Sequence, residues 1–122
     1  MKKIGFVGVG IMGKSMVRNL MKAGFEVSIY TRTKSKVEDV IGEGAIWCDS
    51  VAECAKGRNA VISIVGYPKD VIEVYFGPAG ILANADPGTY VIDMTTTSPK
   101  LAVQIFDEAE KLGLHAIDAP VT

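Results

Sequence analysis

Short apolar runs alternate with amphipathic stretches along the whole 122-residue chain. Residues 4–7 form the first run with strand character. The spacing of Met12, Met16, Val17, Leu20 and Met21 after it predicts a helix that ends at Ala23-Gly24. The pattern then repeats. Residues 27–30 read as a second strand, and 35 to about 41 as a second helix closed by Gly42 and Gly44. A short third strand is expected at 45–47, followed by a brief helix from a Ser50 cap to Ala55. The stretch 60–65 is the clearest buried strand, and Tyr67-Pro68 opens a helix with Val71, Val74 and Tyr75 at helical spacing. Turn signals at 77–80 and 86–88 bracket a turn-rich segment before a fifth strand at 90–94. Ser98 is placed to cap a long helix with Pro99 at its first position. Leu101, Ile105, Ala109 and Leu112 are that helix's expected buried stripe, Gly113 stops it, and 115–118 is the sixth strand.

Apolar strands separated by helices imply a parallel sheet covered on both faces. Neither a linker nor an internal repeat interrupts residues 1–122, so the chain reads as one domain, a doubly wound α/β fold of about six strands. Thirteen Lys and Arg against fourteen Asp and Glu give a net charge of -1, which argues against a broad nucleic-acid or membrane surface. No apolar run nears the roughly 20 residues of a bilayer span, and the first residues carry no secretory pattern. Cys48 and Cys54 lack metal-ligand spacing and read as two free thiols of a cytoplasmic protein, with no metal expected.

Gly8-Val9-Gly10-Ile11-Met12-Gly13 matches G-x-G-x-x-G between a predicted strand and a predicted helix, the context in which that motif carries weight. Gly8 permits a tight turn, Gly10 lets a pyrophosphate approach bare backbone, and Gly13 lets the helix pack on the strand. The N–H groups of Ile11 and Met12, at the positive end of the helix dipole, are then the expected phosphate donors. An NAD site places a carboxylate at the end of the second strand, but here Tyr30-Thr31-Arg32-Thr33-Lys34-Ser35-Lys36 occurs. Arg32 is suited to grip a 2′-phosphate, with Thr33 and Lys36 adding donors and charge. A charge-assisted hydrogen bond contributes roughly 1.5–3 kcal/mol, so the expected preference for NADP over NAD is tens- to hundredfold.

With these motifs in place, the sequence resembles the β-hydroxyacid dehydrogenase family, which includes 3-hydroxyisobutyrate dehydrogenase. The resemblance rests on the glycine loop, on Thr31-Arg32-Thr33-Lys34-Ser35-Lys36, on Ile92-Asp93-Met94-Thr95-Thr96-Thr97-Ser98-Pro99, and on Asp118-Ala119-Pro120-Val121-Thr122. Thr31 departs from the asparagine of NADP-using members, keeping a hydrogen-bonding hydroxyl but removing an amide, and Ile64-Val65-Gly66-Tyr67-Pro68 replaces their Met-Leu-Pro. The resemblance implies that backbone groups of Val65 and Gly66 serve the adenosine side and that Thr96 lies beside the nicotinamide ribose. It also implies that Thr122 stands where a serine binds the substrate carboxylate.

The family's proton-transferring lysine belongs to a helix after the sixth strand, at the start of a second, all-helical domain that this chain does not contain. The chain is therefore expected to be the NADP-binding half of an oxidoreductase acting on a small 3-hydroxy acid or its aldehyde partner. No catalytic residue is expected within it, and no turnover on its own. The full-length protein is expected to be a homo-oligomer. Alternatives are a 6-phosphogluconate dehydrogenase-like or imine-reductase-like enzyme on the same scaffold, or a non-catalytic nucleotide-sensing module. His115 reads as a strand-entry residue, and Asp93 and Asp118 as carboxylates that order turns.

Overall fold

The computed structural model describes residues 2–9, 11–64, 68–94 and 99–118. Six strands form one parallel sheet: β1 (Lys3–Val7), β2 (Glu26–Tyr30), β3 (Ile46–Trp47), β4 (Ala60–Ser63), β5 (Tyr90–Asp93) and β6 (His115–Asp118). Their order is β3-β2-β1-β4-β5-β6, and every adjacent pair is parallel. This is the doubly wound Rossmann arrangement, whose winding reverses between β1 and β4. Helices α1 (Ile11–Lys22), α2 (Glu38–Gly42), α3 (Val51–Ala55), α4 (Pro68–Tyr75), α5 (Ile81–Asn84) and α6 (Pro99–Lys111) connect the strands.

The period-2 alternation of the central strands sorts the core onto two faces. Ile4, Phe6, Val27, Ile29 and Ile62 pack with Val17 of α1 and Val40 of α2 on one side. Val7, Val61 and Val91 pack with Cys54, Tyr75, Ile81, Ile105 and Ala109 on the other. Coverage is complete only at the centre: Ile46 and Ile117, on the two edge strands, stay 44% and 47% exposed.

Three local expectations are revised. The predicted second helix is a 3-10 turn, Lys34–Val37, that continues into α2. The turn-rich stretch after α4 contains the one-turn helix α5, whose Ile81 and Leu82 are buried. Leu112 does not belong to the buried stripe: it is 46% exposed, while Leu114 is 3% exposed. The reason is the end of α6 at Lys111, after which the Leu114 N–H bonds back to Ala109 O (2.9 Å) and carries Leu114 into the core. Ile105 and Ala109 are buried as expected; the side chain of Leu101 lies outside the described residues.

At Gly5, on β1, α3 approaches so closely that a Cβ would stand 2.1 Å from Cys54 O. Backbone cannot rotate away as a flexible side chain could. Gly5→Ala should therefore lose about 2–3 kcal/mol of stability by urea denaturation; a loss within a few tenths would show that α3 does not pack there.

Candidate functional site

A cleft of about 590 Å³ opens at the carboxyl ends of β1 and β2, beside the reversal of the strand order. Its size suits a cofactor, and its place is where open α/β sheets bind ligands. Gly8 forms its floor in the turn that leaves β1. The turn has φ +87° there, a left-handed conformation natural to glycine, and the Gly8 N–H is taken by Tyr30 O at 2.9 Å. The amides left for a ligand are those of the first turn of α1, which have no acceptor within the helix. Ile11 and Met12 open that turn, and no acidic residue lies in it to compete for an anion. Gly13 holds α1 close to β1: a Cβ there would be 3.2 Å from Phe6 Cε1 and 3.4 Å from Gly8 O.

Thr31, Arg32, Thr33 and Lys36 line the same cleft as Gly8, on the loop that leaves β2. Lys34 turns aside, its Nζ 5.7 Å from the centre of the Trp47 ring, which in turn lies 5.8 Å from Tyr30. The loop's far end is held by an ion cluster between α1 and α2. Arg18 grips Glu43 through Nε and Nη2 (2.9–3.1 Å), and both Lys14 and Arg18 reach Asp39 at 3.1 Å. The Glu43 hydrogen bond raises the Arg18 pKa, and the Lys14 hydrogen bond lowers that of Asp39.

Of the remaining expected site residues, Gly10, Val65, Gly66, Thr96 and Thr122 lie outside the described residues, as do the side chains of Ile11 and Met12. Three features went unread in the sequence. Glu73, on α4, is the one carboxylate among the described residues of the cleft, with Oε2 3.5 Å from Arg32 Nη2. Only the third dimension brings residues 41 positions apart together. Asp93 is no turn-ordering surface carboxylate: it is buried at the end of β5, where Ser63 Oγ donates to its Oδ1 (3.3 Å) and also bonds the hydroxyl of Tyr75. That cluster ties β4, β5 and α4 together behind the cleft. His115 does sit at a strand entry, stacked on Tyr90 at 4.9 Å.

The third feature is Arg58, whose Nη2 is 3.8 Å from Cys48 Sγ while its Nε donates to Cys54 O (3.2 Å). Both thiols are free and buried, and Cys54 Sγ lies 3.5 Å from Ser28 O. Contact with Cys54, aided by the Arg58 charge and opposed by burial, pushes the Cys48 thiol down to about 6; contact with Cys48 and burial push Cys54 up.

The comparisons with known proteins bear on this cleft. The family model described as the NAD binding domain of 6-phosphogluconate dehydrogenase matches residues 3–122. The chain belongs to this family. Among curated relatives of this dehydrogenase-type domain, the uncharacterized oxidoreductase YkwC of Bacillus subtilis (strain 168) is 50% identical over 121 residues, covering 99% of this chain and 42% of that protein. Among solved structures, 3-hydroxyisobutyrate dehydrogenase of Mycobacterium tuberculosis with L-serine aligns with TM-score 0.90 at 30% identity, covering 100% of this chain and 41% of that one. Psf3 in complex with NADP+ and 2-OPP aligns with TM-score 0.90 at 26% identity, covering 98% and 42%. The chain thus spans about 40% of the length of these relatives. It is an NAD(P)-binding Rossmann domain. No helix among the described residues is long and apolar enough to cross a membrane.

The thiol pair gives a pH test. A lowered Cys48 pKa contributes stability fully present above the unfolded thiol value, about 8.5, and lost as pH falls through about 6. Between pH 6 and 8 the thermal midpoint should rise more steeply in the native chain than in Cys48→Ser. Parallel curves would mean that Cys48 stays protonated throughout.

Proposed function

We propose that the chain is the NADP(H)-binding domain of an oxidoreductase that interconverts a small 3-hydroxy acid and its aldehyde or semialdehyde. The observation that carries the cofactor choice is that Arg32 and Lys36 line the same cleft as Gly8 while β2 ends without a carboxylate. Gly8 turns the chain out of β1, Gly13 seats α1 on β1, Gly10 lets a pyrophosphate approach bare backbone, and the amides of Ile11 and Met12 hold it. Arg32 takes the 2′-phosphate through its paired N–H groups; Thr31 and Thr33 add hydroxyl donors and Lys36 adds charge.

Backbone groups of Val65 and Gly66 meet the adenosine, and Thr96 meets the nicotinamide ribose. Thr122 offers its hydroxyl to the substrate carboxylate. When bound, the nicotinamide supplies or accepts a hydride. This chain's residues do the holding and orienting, and the proton is exchanged by a lysine of a helical domain that follows in the whole protein. That protein works in the cytoplasm, on a small molecule, as a homo-oligomer.

A sugar-acid substrate of the 6-phosphogluconate kind is the second reading, favoured by the description of the matching family model. The two part on which acid the full-length enzyme oxidises.

Calorimetric titration of this chain should show NADPH bound at least tenfold more tightly than NADH, and equal affinities would contradict the role of Arg32. Arg32→Asp should weaken NADPH by tens of fold and leave NADH within a few fold; an unchanged NADPH affinity would place the phosphate elsewhere. The chain alone should turn over no hydroxy acid. Measurable turnover would reveal a proton-transfer group within it.

A further inference from the structure

We propose that Glu73 is a specificity-determining residue of the cleft, whose carboxylate competes with the cofactor's 2′-phosphate for Arg32 and so restrains the preference for NADP over NAD. The inference rests on reading the cleft as a dinucleotide site with Arg32 on the phosphate.

Glu73 projects from α4 and Arg32 from the β2 loop, and both residues line the one cleft. Their contact is a single prong, Oε2 to Nη2 at 3.5 Å, between side chains that remain 68% and 76% exposed. So long and solvated a pair is weak, and a phosphate offering two short charge-assisted bonds displaces it. The displaced carboxylate stays tethered to α4, in the same cleft as the dianion, with Lys36 the other cation among the described residues that line it. A bound NADP must therefore break the Arg32–Glu73 pair and accept the Glu73 carboxylate as a like-charge neighbour. An NAD molecule, with ribose hydroxyls in place of the phosphate, does neither.

The consequence is asymmetric between the two cofactors. Glu73→Gln keeps the size and helix preference of the side chain while removing its charge. It should tighten NADP+ about three- to tenfold on this chain at low salt and move NAD+ by less than twofold. The same contrast should appear between 2′,5′-ADP and 5′-AMP, which carry the two kinds of ribose without the nicotinamide. Because the effect is electrostatic between exposed groups, the gain for NADP+ should shrink towards unity at about 0.5 M salt. Thermal melting of each variant establishes that the fold is kept.

The outcomes separate the two claims. If Arg32→Ala leaves NADP+ affinity unchanged, the reading of the cleft itself fails. If Arg32→Ala weakens NADP+ but Glu73→Gln changes neither cofactor, or both equally, competition by Glu73 is refuted and the NADP site stands. If Glu73→Gln weakens NAD+ while leaving NADP+ alone, Glu73 is a ribose ligand and the competition is likewise refuted.

Discussion

The close seating of α1 on β1 is the constraint from which the rest of the site follows. Phe6 lies under Gly13 with no room for more than a slight adjustment, and Gly8 turns the chain through a conformation that L side chains rarely adopt. The Gly8 N–H is bound to Tyr30, so the turn is sewn to the end of β2. Two consequences come from this one corner. The N-terminus of α1, with its unsatisfied amides, is delivered to the carboxyl edge of the sheet. The loop that leaves β2 starts one hydrogen bond away from Gly8, so the cations of that loop share a cleft with the turn that precedes α1.

The electrostatics of the cleft are built in tiers. The ion cluster of Lys14, Arg18, Asp39 and Glu43 joins α1 to the α2 segment that follows the β2 loop. Lys34 is diverted onto Trp47. Among the described residues, the charged side chains that line the cleft are Arg32 and Lys36, with Glu73 from α4. Behind the sheet edge, Ser63, Tyr75 and Asp93 form a buried polar knot that fixes α4, and hence Glu73, relative to β4 and β5. Hydrogen bonds in the low-dielectric interior polarise one another and help to hold such a knot in one arrangement.

Most of the fold was legible because each strand is short, apolar and bounded by helix signals, which leaves a parallel sheet as the consistent solution. The Ser50 cap is a clear instance: its Oγ accepts from Glu53 N at 3.2 Å, as the sequence pattern predicts. The misreadings have a common cause. Leu112 continues the helical period, but the period persists past the point where the helix ends; α5 is a single turn, too short to show one. In the cleft, the residues of the glycine loop and the β2 loop were readable because each belongs to a local motif. Glu73, Arg58 and the buried pairing of Ser63 with Asp93 were not, because each acquires its meaning from a partner distant in sequence and near only after the sheet has formed.

The central claim is that bare amides at the start of α1 receive a negatively charged adenine dinucleotide. Backbone amide chemical shifts of the isotopically labelled chain, followed during titration with NADPH, test it most directly. Large, saturable shifts should fall on the amides of residues 10–13 and on the loop carrying Arg32, with far smaller ones at the opposite edge of the sheet. Saturating NADPH that left the amides of Ile11 and Met12 unmoved, or that perturbed another surface instead, would contradict the account.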